Sequence, residues 1–407
     1  MLWWRMINQK SLERRIKRHI IAGKHTLFGA IQPGLEEAGE RELSQLGLTP
    51  VREKEPGSLC TNISLDELWK TVLLSRSFSR LYLRLDSFKS SGFMELKQKL
   101  ARIQWSLYLR EGCSFKIKLT TRHCRLHVED KIIKSLNHCM QDHYVQLEGR
   151  PPVYTDTKEK DAAIQTIIIR GVDDHFTISL DAGGGALYER GYRKFINDAP
   201  LKENIAAALL ILSDLPENTL LLDAMSGSGT FALEGLGYSR GLLTAPNRNY
   251  PFENWPSFRP GRFQWLKKEI MKEMKPGWQI AAADIDEKSI GAGRENLKLM
   301  ASQCSVDPGA CEFIKEDFFN KTALIDSGDR KPFLILNPPY GRRLSLEDQE
   351  AFFRKIGRQI LEKYKGIPWG IIVPGLECEK ALGLKWEKKY LFKNGGYPVS
   401  YLLGICR

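Results

Sequence analysis

The sequence predicts an α/β protein whose C-terminal part is a doubly wound, largely parallel sheet and whose N-terminal part is a smaller α+β region. Three observations carry this. From about Asn204 onward, five short apolar runs alternate with stretches of helical spacing. The first of those runs ends in a glycine loop that leads straight into a helix. Between Ser64 and Ser179, strand-like and helical stretches follow one another irregularly, as several short sheets with helices would.

Taken in order, residues 1–26 read as a basic arm, with disorder and a helix over Leu12–Ile21 both open. Met1 to Lys24 holds seven basic residues and one acid, Glu13. Arg5 breaks its apolar start and no apolar run follows, which argues against a secretory signal, although an Arg-rich, acid-poor leader also mimics a mitochondrial transit peptide. Residues 27–63 read as strand, turn and helix, the helix running from Ala38 to Leu46 and ending at Gly47. Residues 64–182 open on a capping box, Ser64 with Glu67, which predicts a helix over 65–75. Ser79–Phe88 alternates as a strand, Phe93–Leu107 has helical spacing, and Phe115–Leu119 alternates again. A helix over Lys131–Met140 and strands over Thr166–Arg170 and Phe176–Leu180 complete this part.

Residues 183–407 form the last part. Its apolar runs are Leu220–Leu222, Ile280–Ala283, Phe313–Ile314, Phe333–Leu336 and Gly370–Val373, with helices over Glu287–Leu299 and Gln349–Lys363. The stretch Thr244–Trp278 interrupts the alternation. It carries Phe252, Trp255, Phe258 and Phe263 and reads as an ordered insertion, because linkers are not that aromatic.

Composition narrows the function classes. The 407 residues carry 61 Lys+Arg against 49 Asp+Glu, a net charge of +12. The surplus lies in front of the C-terminal part: residues 66–136 hold fifteen basic and seven acidic residues. That distribution suggests a polyanionic partner. No apolar run is long enough to cross a membrane as a helix. Eight cysteines without a C-x-x-C pair argue against a zinc ribbon or a disulfide scaffold and fit a reducing, cytoplasmic setting. The seven histidines show no metal-ligand spacing either, so no metal is expected.

Two motifs carry chemistry. The first is Asp223-Ala-Met-Ser-Gly-Ser-Gly-Thr230, between a strand and a helix. Gly227 and Gly229 allow a tight turn, and Ser228 and Thr230 sit at the helix start, where a ligand can approach the backbone. A side chain at Gly229 is expected to clash with that ligand rather than with the core. The second is Asn337-Pro338-Pro339-Tyr340, directly after a strand. The prolines stiffen the loop and leave carbonyls without neighbouring N–H donors. The Asn337 side-chain oxygen and the Pro338 carbonyl can then accept both hydrogens of a nucleobase amine, while Tyr340 offers a ring for stacking. Two acids fall between the motifs. Asp284 ends the second strand, where an acid meets ribose hydroxyls, and Asp286 can cap the next helix. Asp317 follows the third strand, where a carboxylate can accept from an adenine amine.

At these residues the chain resembles the THUMP-domain methyltransferases, and within them the ribosomal-RNA large-subunit guanine-N(2) methyltransferase family. The resemblance runs through Gly34-Leu-Glu-Glu37, Cys60-Thr-Asn-Ile-Ser-Leu-Asp66, Arg190-Gly-Tyr-Arg193, Ala199-Pro-Leu-Lys-Glu203, Ala245-Pro-Asn-Arg248, Phe252-Glu-Asn-Trp255, Asn337-Pro-Pro-Tyr-Gly341 and Phe392-Lys-Asn-Gly395. It implies a ferredoxin-like part over 27–63, a THUMP-containing RNA-binding region over 64–182 and a Rossmann-like methyltransferase domain over 183–407. It also implies S-adenosyl-L-methionine as methyl donor and structured RNA, foremost 23S rRNA, as partner. The sequence stops at Arg407, so the second methyltransferase domain of some members is not expected. Two departures stand out: Ala224 and Ser226 replace the family's Pro and Cys, and Gly341-Arg342-Arg343 replaces Gly-Glu-Arg.

The expected function is methyl transfer to an exocyclic amine, guanine-N(2) of 23S rRNA first. A tRNA guanine or an adenine of DNA or RNA is the alternative within the same chemistry. A non-catalytic RNA-binding or ribosome-assembly protein is the alternative of another class. Gly227-Ser-Gly-Thr-Phe-Ala232 also satisfies a loose dinucleotide pattern, but a nicotinamide dehydrogenase has no use for Asn-Pro-Pro-Tyr.

Overall fold

The protein is described by a computed structural model covering residues 10–159, 161–195, 201–320, 328–340 and 346–405. The first part contains α1 (residues 10–21, wound as a π-helix over Lys17–Ile21), β1 (His25–Ala30), α2 (Glu36–Gln45), β2 (Val51–Arg52), β3 (Ser58–Ile63), α3 (Leu65–Leu74) and β4 (Arg80–Lys89). It continues with α4 (Phe93–Arg102), β5 (Ser114–Arg122), α5 (Glu129–Gln146), β6 (Val153–Tyr154), β7 (Gln165–Val172) and β8 (His175–Asp181). The second part begins with α6 (Glu203–Ser213), β9 (Thr219–Asp223), α7 (Thr230–Arg240), α8 (Pro260–Lys272), β10 (Gln279–Asp284), α9 (Glu287–Cys304) and β11 (Cys311–Lys315). It ends with β12 (Lys331–Leu336), α10 (Leu346–Lys363), β13 (Pro368–Pro374), α11 (Gly375–Leu382), β14 (Lys388–Asn394) and β15 (Tyr397–Ile405).

The N-terminal strands make one sheet of eight in the order β2-β3-β1-β4-β8-β7-β5-β6, where several short sheets were expected. The cause is β1, which pairs antiparallel with β3 on one side and with β4 on the other. Strands on both sides of residue 63 therefore share one hydrogen-bonded ladder. The arm is ordered from residue 10: α1 buries Ile16 and Ile20 against the core, at 3% and 2% exposure. Residues 1–9 lie outside the described residues. The capping box of α3 is present, with the Ser64 amide donating to Glu67 Oε2 at 2.7 Å and the Glu67 amide donating to Ser64 Oγ. Helix α4 stops at Arg102, short of the expected Leu107, because Ile103 turns extended. The buried Trp105 then folds back and its indole N–H donates to the Leu100 carbonyl at 3.3 Å.

The C-terminal sheet has seven strands in the order β11-β10-β9-β12-β13-β15-β14. Strands β9 to β13 are parallel neighbours, and β15 runs antiparallel to both β13 and β14. This is the doubly wound architecture, closed by a hairpin. Every residue of β9 is buried, as befits a parallel strand covered on both faces. Helix α6 is apolar all round and buried from Asn204 to Leu212, because it lies between α2 of the first part and α7 of the second.

Two devices join the parts. On α7, Glu234 is fully buried and accepts from Arg190 Nε at 3.1 Å, Arg76 Nη1 at 3.2 Å and Tyr192 Oη at 2.5 Å. Burial pushes the Glu234 carboxyl up, but Arg190 and Arg76 outweigh it and the net shift is downward. Thus Arg190 and Tyr192 of the Arg-Gly-Tyr-Arg segment bind α7 of the second part, and Arg76 reaches it from the loop between α3 and β4. The second device is the aromatic insertion. Phe252, Phe258 and Phe263 surround Trp69 of α3, while Trp255 Nε1 donates to Gln165 Oε1 of β7 at 2.9 Å.

Candidate active site

The loops after β9, β10, β11 and β12 meet at the carboxyl ends of the parallel strands. There the strand order reverses, with β10 on one side of β9 and β12 on the other. Such a switch point opens a crevice, and here it is a cavity of about 900 Å³.

Asp284 ties the loops together. Its Oδ2 accepts the Gly227 amide at 2.8 Å and its Oδ1 accepts the Asp286 amide at 2.9 Å. Its backbone carbonyl accepts the Glu316 amide at 3.0 Å. Asp286 caps α9 by accepting from the Lys288 and Ser289 amides. Gly227 and Gly229 both have positive φ, 53° and 83°. Their surroundings differ. A Cβ at Gly227 would meet open space, whereas one at Gly229 would stand 2.5 Å from the Phe313 ring. The expectation that a side chain at Gly229 clashes with ligand is therefore corrected: β11 packs too closely under the loop, and the clash is with the core.

Of the residues expected at the site, Gly227, Ser228, Thr230, Asp284, Asp317, Asn337 and Pro339 line the cavity. Asp223, Gly229, Pro338 and Tyr340 are not among its lining residues. Asp223 is buried beneath the glycine loop, where Oδ2 accepts the Ala232 amide at 3.3 Å and Oδ1 has no partner among the described residues. Burial pushes its carboxyl up to about 8. Tyr340 packs its ring against the core and accepts from Asn394 Nδ2 at 2.5 Å, so the closing Phe-Lys-Asn-Gly segment holds the tyrosine. Gly341, Arg342 and Arg343, like Ala199 and Pro200, lie outside the described residues.

Several cavity residues escaped the sequence reading. The Arg193 side chain is 3% exposed, ion-pairs with Glu203 at 3.1 Å and donates to Ser228 Oγ at 3.4 Å. Burial raises the Glu203 carboxyl, with Arg193 opposing. On the other side, Lys355 Nζ sits 3.9 Å from the centre of the Phe319 ring, and Phe352 meets that ring edge-on at 5.6 Å. In sequence, Phe352 and Lys355 are only a helical i, i+3 pair. Arg193 carried a signal, since it belongs to a quoted family segment.

Three buried polar atoms on the cavity residues have no partner among the described residues: Asn337 Oδ1, Glu316 Oε1 and Arg193 Nε. Buried polar groups are nearly always hydrogen-bonded, so two acceptors and a donor left open around one cavity call for a polar ligand. The acids suit hydroxyl and amine donors, and the loop amides at the start of α7 suit a negatively charged or strongly polar group. Among the described residues no cluster of three or more His, Cys, Asp or Glu is placed to hold a metal ion. No helix among them is long and apolar enough to cross a membrane.

The family described as RMKL-like, methyltransferase domain, matches residues 190–398, just over half of the chain. The chain is 28% identical over 388 residues to a Synechocystis protein named as a candidate RNA methyltransferase, covering 92% of this chain and 95% of that one. It is 27% identical over 404 residues to the ribosomal RNA large subunit methyltransferase K/L of Marinobacter nauticus, covering 93% of this chain and 52% of the relative. The chain thus spans about half the length of that relative. A solved candidate methyltransferase complexed with SAH has the same fold, with a TM-score of 0.81 at 24% identity, covering 94% of this chain and 98% of that one. Fold, loop set and family together define the class: an S-adenosylmethionine-dependent methyltransferase. Within it, the chain belongs to the RMKL-like methyltransferase-domain family.

Proposed function

We propose that this protein methylates RNA at an exocyclic base amine, guanine-N(2) of large-subunit (23S) rRNA first. We further propose that residues 27–63 and 64–182, a ferredoxin-like part and a THUMP-containing region, hold the RNA while residues 183–407 carry out the transfer. The observation that carries the reading is Asn337 Oδ1, a buried amide oxygen without a partner among the described residues, at the edge of the cavity. The names of the relatives support RNA as substrate.

When bound, S-adenosylmethionine supplies a sulfonium methyl group open to in-line attack by a nitrogen lone pair. In this reading the Gly227–Thr230 loop and Asp284 hold the donor's polar end and ribose. Asp317 and Glu316 accept from its adenine side, and Arg193 lends its open Nε. Asn337 and the Pro338 carbonyl accept the two hydrogens of the target amine, which keeps its lone pair directed at the methyl group. As positive charge develops on that nitrogen, the two fixed oxygens stabilise it more than they stabilise the neutral amine. A duplexed base cannot reach such a site, so the target is single-stranded or flipped out. Tyr340, held by Asn394, then serves the loop's geometry before it serves stacking.

The test is methylation of undermodified 23S rRNA, tRNA and duplex DNA by the wild-type protein, with mass mapping of the product base. Transfer to guanine-N(2) of 23S rRNA supports the reading. Transfer to adenine overturns the proposed base, preference for tRNA overturns the proposed RNA, and no transfer to any RNA overturns the reading as a whole.

A further inference from the structure

We propose that helix α1 is a phosphate-gripping element that binds the backbone of the RNA substrate through Lys10, Arg14, Lys17 and Arg18. The inference rests on the reading of the protein as an RNA methyltransferase and assigns that reading a binding surface outside the catalytic cavity.

The helix has two chemically distinct faces. Leu12, Ile16 and Ile20 turn inward, with Ile16 and Ile20 buried in the core. Lys10, Arg14, Lys17 and Arg18 are all exposed and follow one another at i, i+4, i+7 and i+8, so they share one face. The helix's only acid in the described stretch, Glu13, is taken by Arg259 of the insertion at 2.6 Å. Arg15 is taken too, donating to Gln104 Oε1 at 2.7 Å. The four outward cations have no ion-pair partner among the described residues. Together with Ser11, Arg15 and His19, three of the four line a shallow groove containing no acid among the described residues.

Like charges at i, i+3 and i, i+4 repel one another and weaken a helix. Here the fold keeps them side by side without an ion-pair partner among the described residues, although Lys10 also faces a cavity shared with Glu13, Glu111 and Glu148. It also holds the helix still. Arg259 anchors it to the insertion of the catalytic part, Gln104 anchors it to the segment after α4, and the Ile20 carbonyl accepts from the His25 ring at 2.7 Å. A cationic row fixed to both parts at once matches a polyanion lying across their seam. A membrane surface is the other partner that basic helices serve, and a helix that lies in that surface inserts a free apolar face. The apolar face of α1 is already buried in protein.

The experiment compares the full-length protein with a Lys10→Gln, Arg14→Gln, Lys17→Gln, Arg18→Gln variant, using a transcript of bacterial 23S rRNA over a range of salt. Binding through four phosphates adds about 0.7–0.9 per contact to the magnitude of the log K versus log salt slope. The variant's slope is expected to flatten by roughly 3, with at least tenfold weaker binding at near-physiological salt. Its thermal unfolding and S-adenosylmethionine affinity should match wild type, since the four side chains touch neither core nor cavity. Restoring lysines at positions 14 and 18 should recover part of the slope. An unchanged slope in the variant overturns the proposal while leaving the RNA methyltransferase reading intact. So does an unchanged RNA slope combined with loss of binding to phosphatidylserine-containing vesicles. A wild-type protein that binds no RNA overturns both.

Discussion

In the proposed reaction Asn337 is the residue on which the chemistry turns. There its open oxygen acts on charge that develops during transfer, so Asn337→Ala should lower turnover by roughly 10²–10³. Donor affinity should stay close to wild type, and single-turnover kinetics beside calorimetry separates the two. The loop glycines should part company. Gly227→Ala places a methyl group in open space at a φ of 53°, costing about 1–2 kcal/mol of backbone strain, and should lose donor affinity. Gly229→Ala meets the same strain and drives into Phe313, so its melting temperature should fall further than that of Gly227→Ala. Equal melting temperatures would mean that β11 does not constrain the loop.

Asp223 gives a pH dependence of definite sign. Its carboxyl titrates near 8 in the folded chain and near 3.8 ordinarily. Between about pH 4 and pH 8 the unfolded chain has released this proton and the folded chain has kept it, so stability falls as pH rises across that window. Asp223→Asn keeps an oxygen for the Ala232 amide and removes the titration. The variant should therefore gain stability over wild type, and gain more at pH 8 than at pH 5. Thermal unfolding at the two values checks it.

Among the elements, the hairpin β14–β15 holds the Asn337–Tyr340 loop through Asn394. It turns on Gly395 and Gly396, both at positive φ, and this tight turn leaves Asn394 beside Tyr340. Asn394→Ala removes one hydrogen bond to the loop. A bond of that kind contributes about 0.5–1.5 kcal/mol, so turnover should drop roughly two- to tenfold with donor affinity unchanged. The sequence reading had the parallel strands and the two loops whose residues line the cavity, because buried strands are unbroken apolar runs and the loops follow them directly. It quoted Phe392-Lys-Asn-Gly395 without recognising strands there. Lys388, Lys389 and Lys393 give β14 a charged edge, and its pairing with β15 is a tertiary fact. The single eight-stranded sheet was hidden for the same reason, since nothing local to β1 says that it has two neighbours. Phe352 and Lys355 looked like any amphipathic helix, because only the fold brings α10 over the cavity.

For the whole molecule, the buried Glu234 is the decisive group. Removing it leaves Arg76 and Arg190 buried and uncompensated, and breaking a buried ion pair costs about 3–5 kcal/mol. Glu234→Ala should therefore destabilise both parts together. In wild type, calorimetry should record one unfolding transition, because one hydrophobic cluster runs from Leu27 to Ile280 and on to Leu403. Two well-separated transitions would contradict that.

The same carboxylate bears on how such a protein is inherited. Its partners come from Arg76 in the first part and from Arg190 and Tyr192 at the start of the second, ahead of α6. A recombination that joins the first part of one relative to the second part of another brings together ions that never had to match. The surviving chimeras should be those in which acid and arginines arrive from the same ancestor, so genetic exchange treats two sheets as one indivisible module.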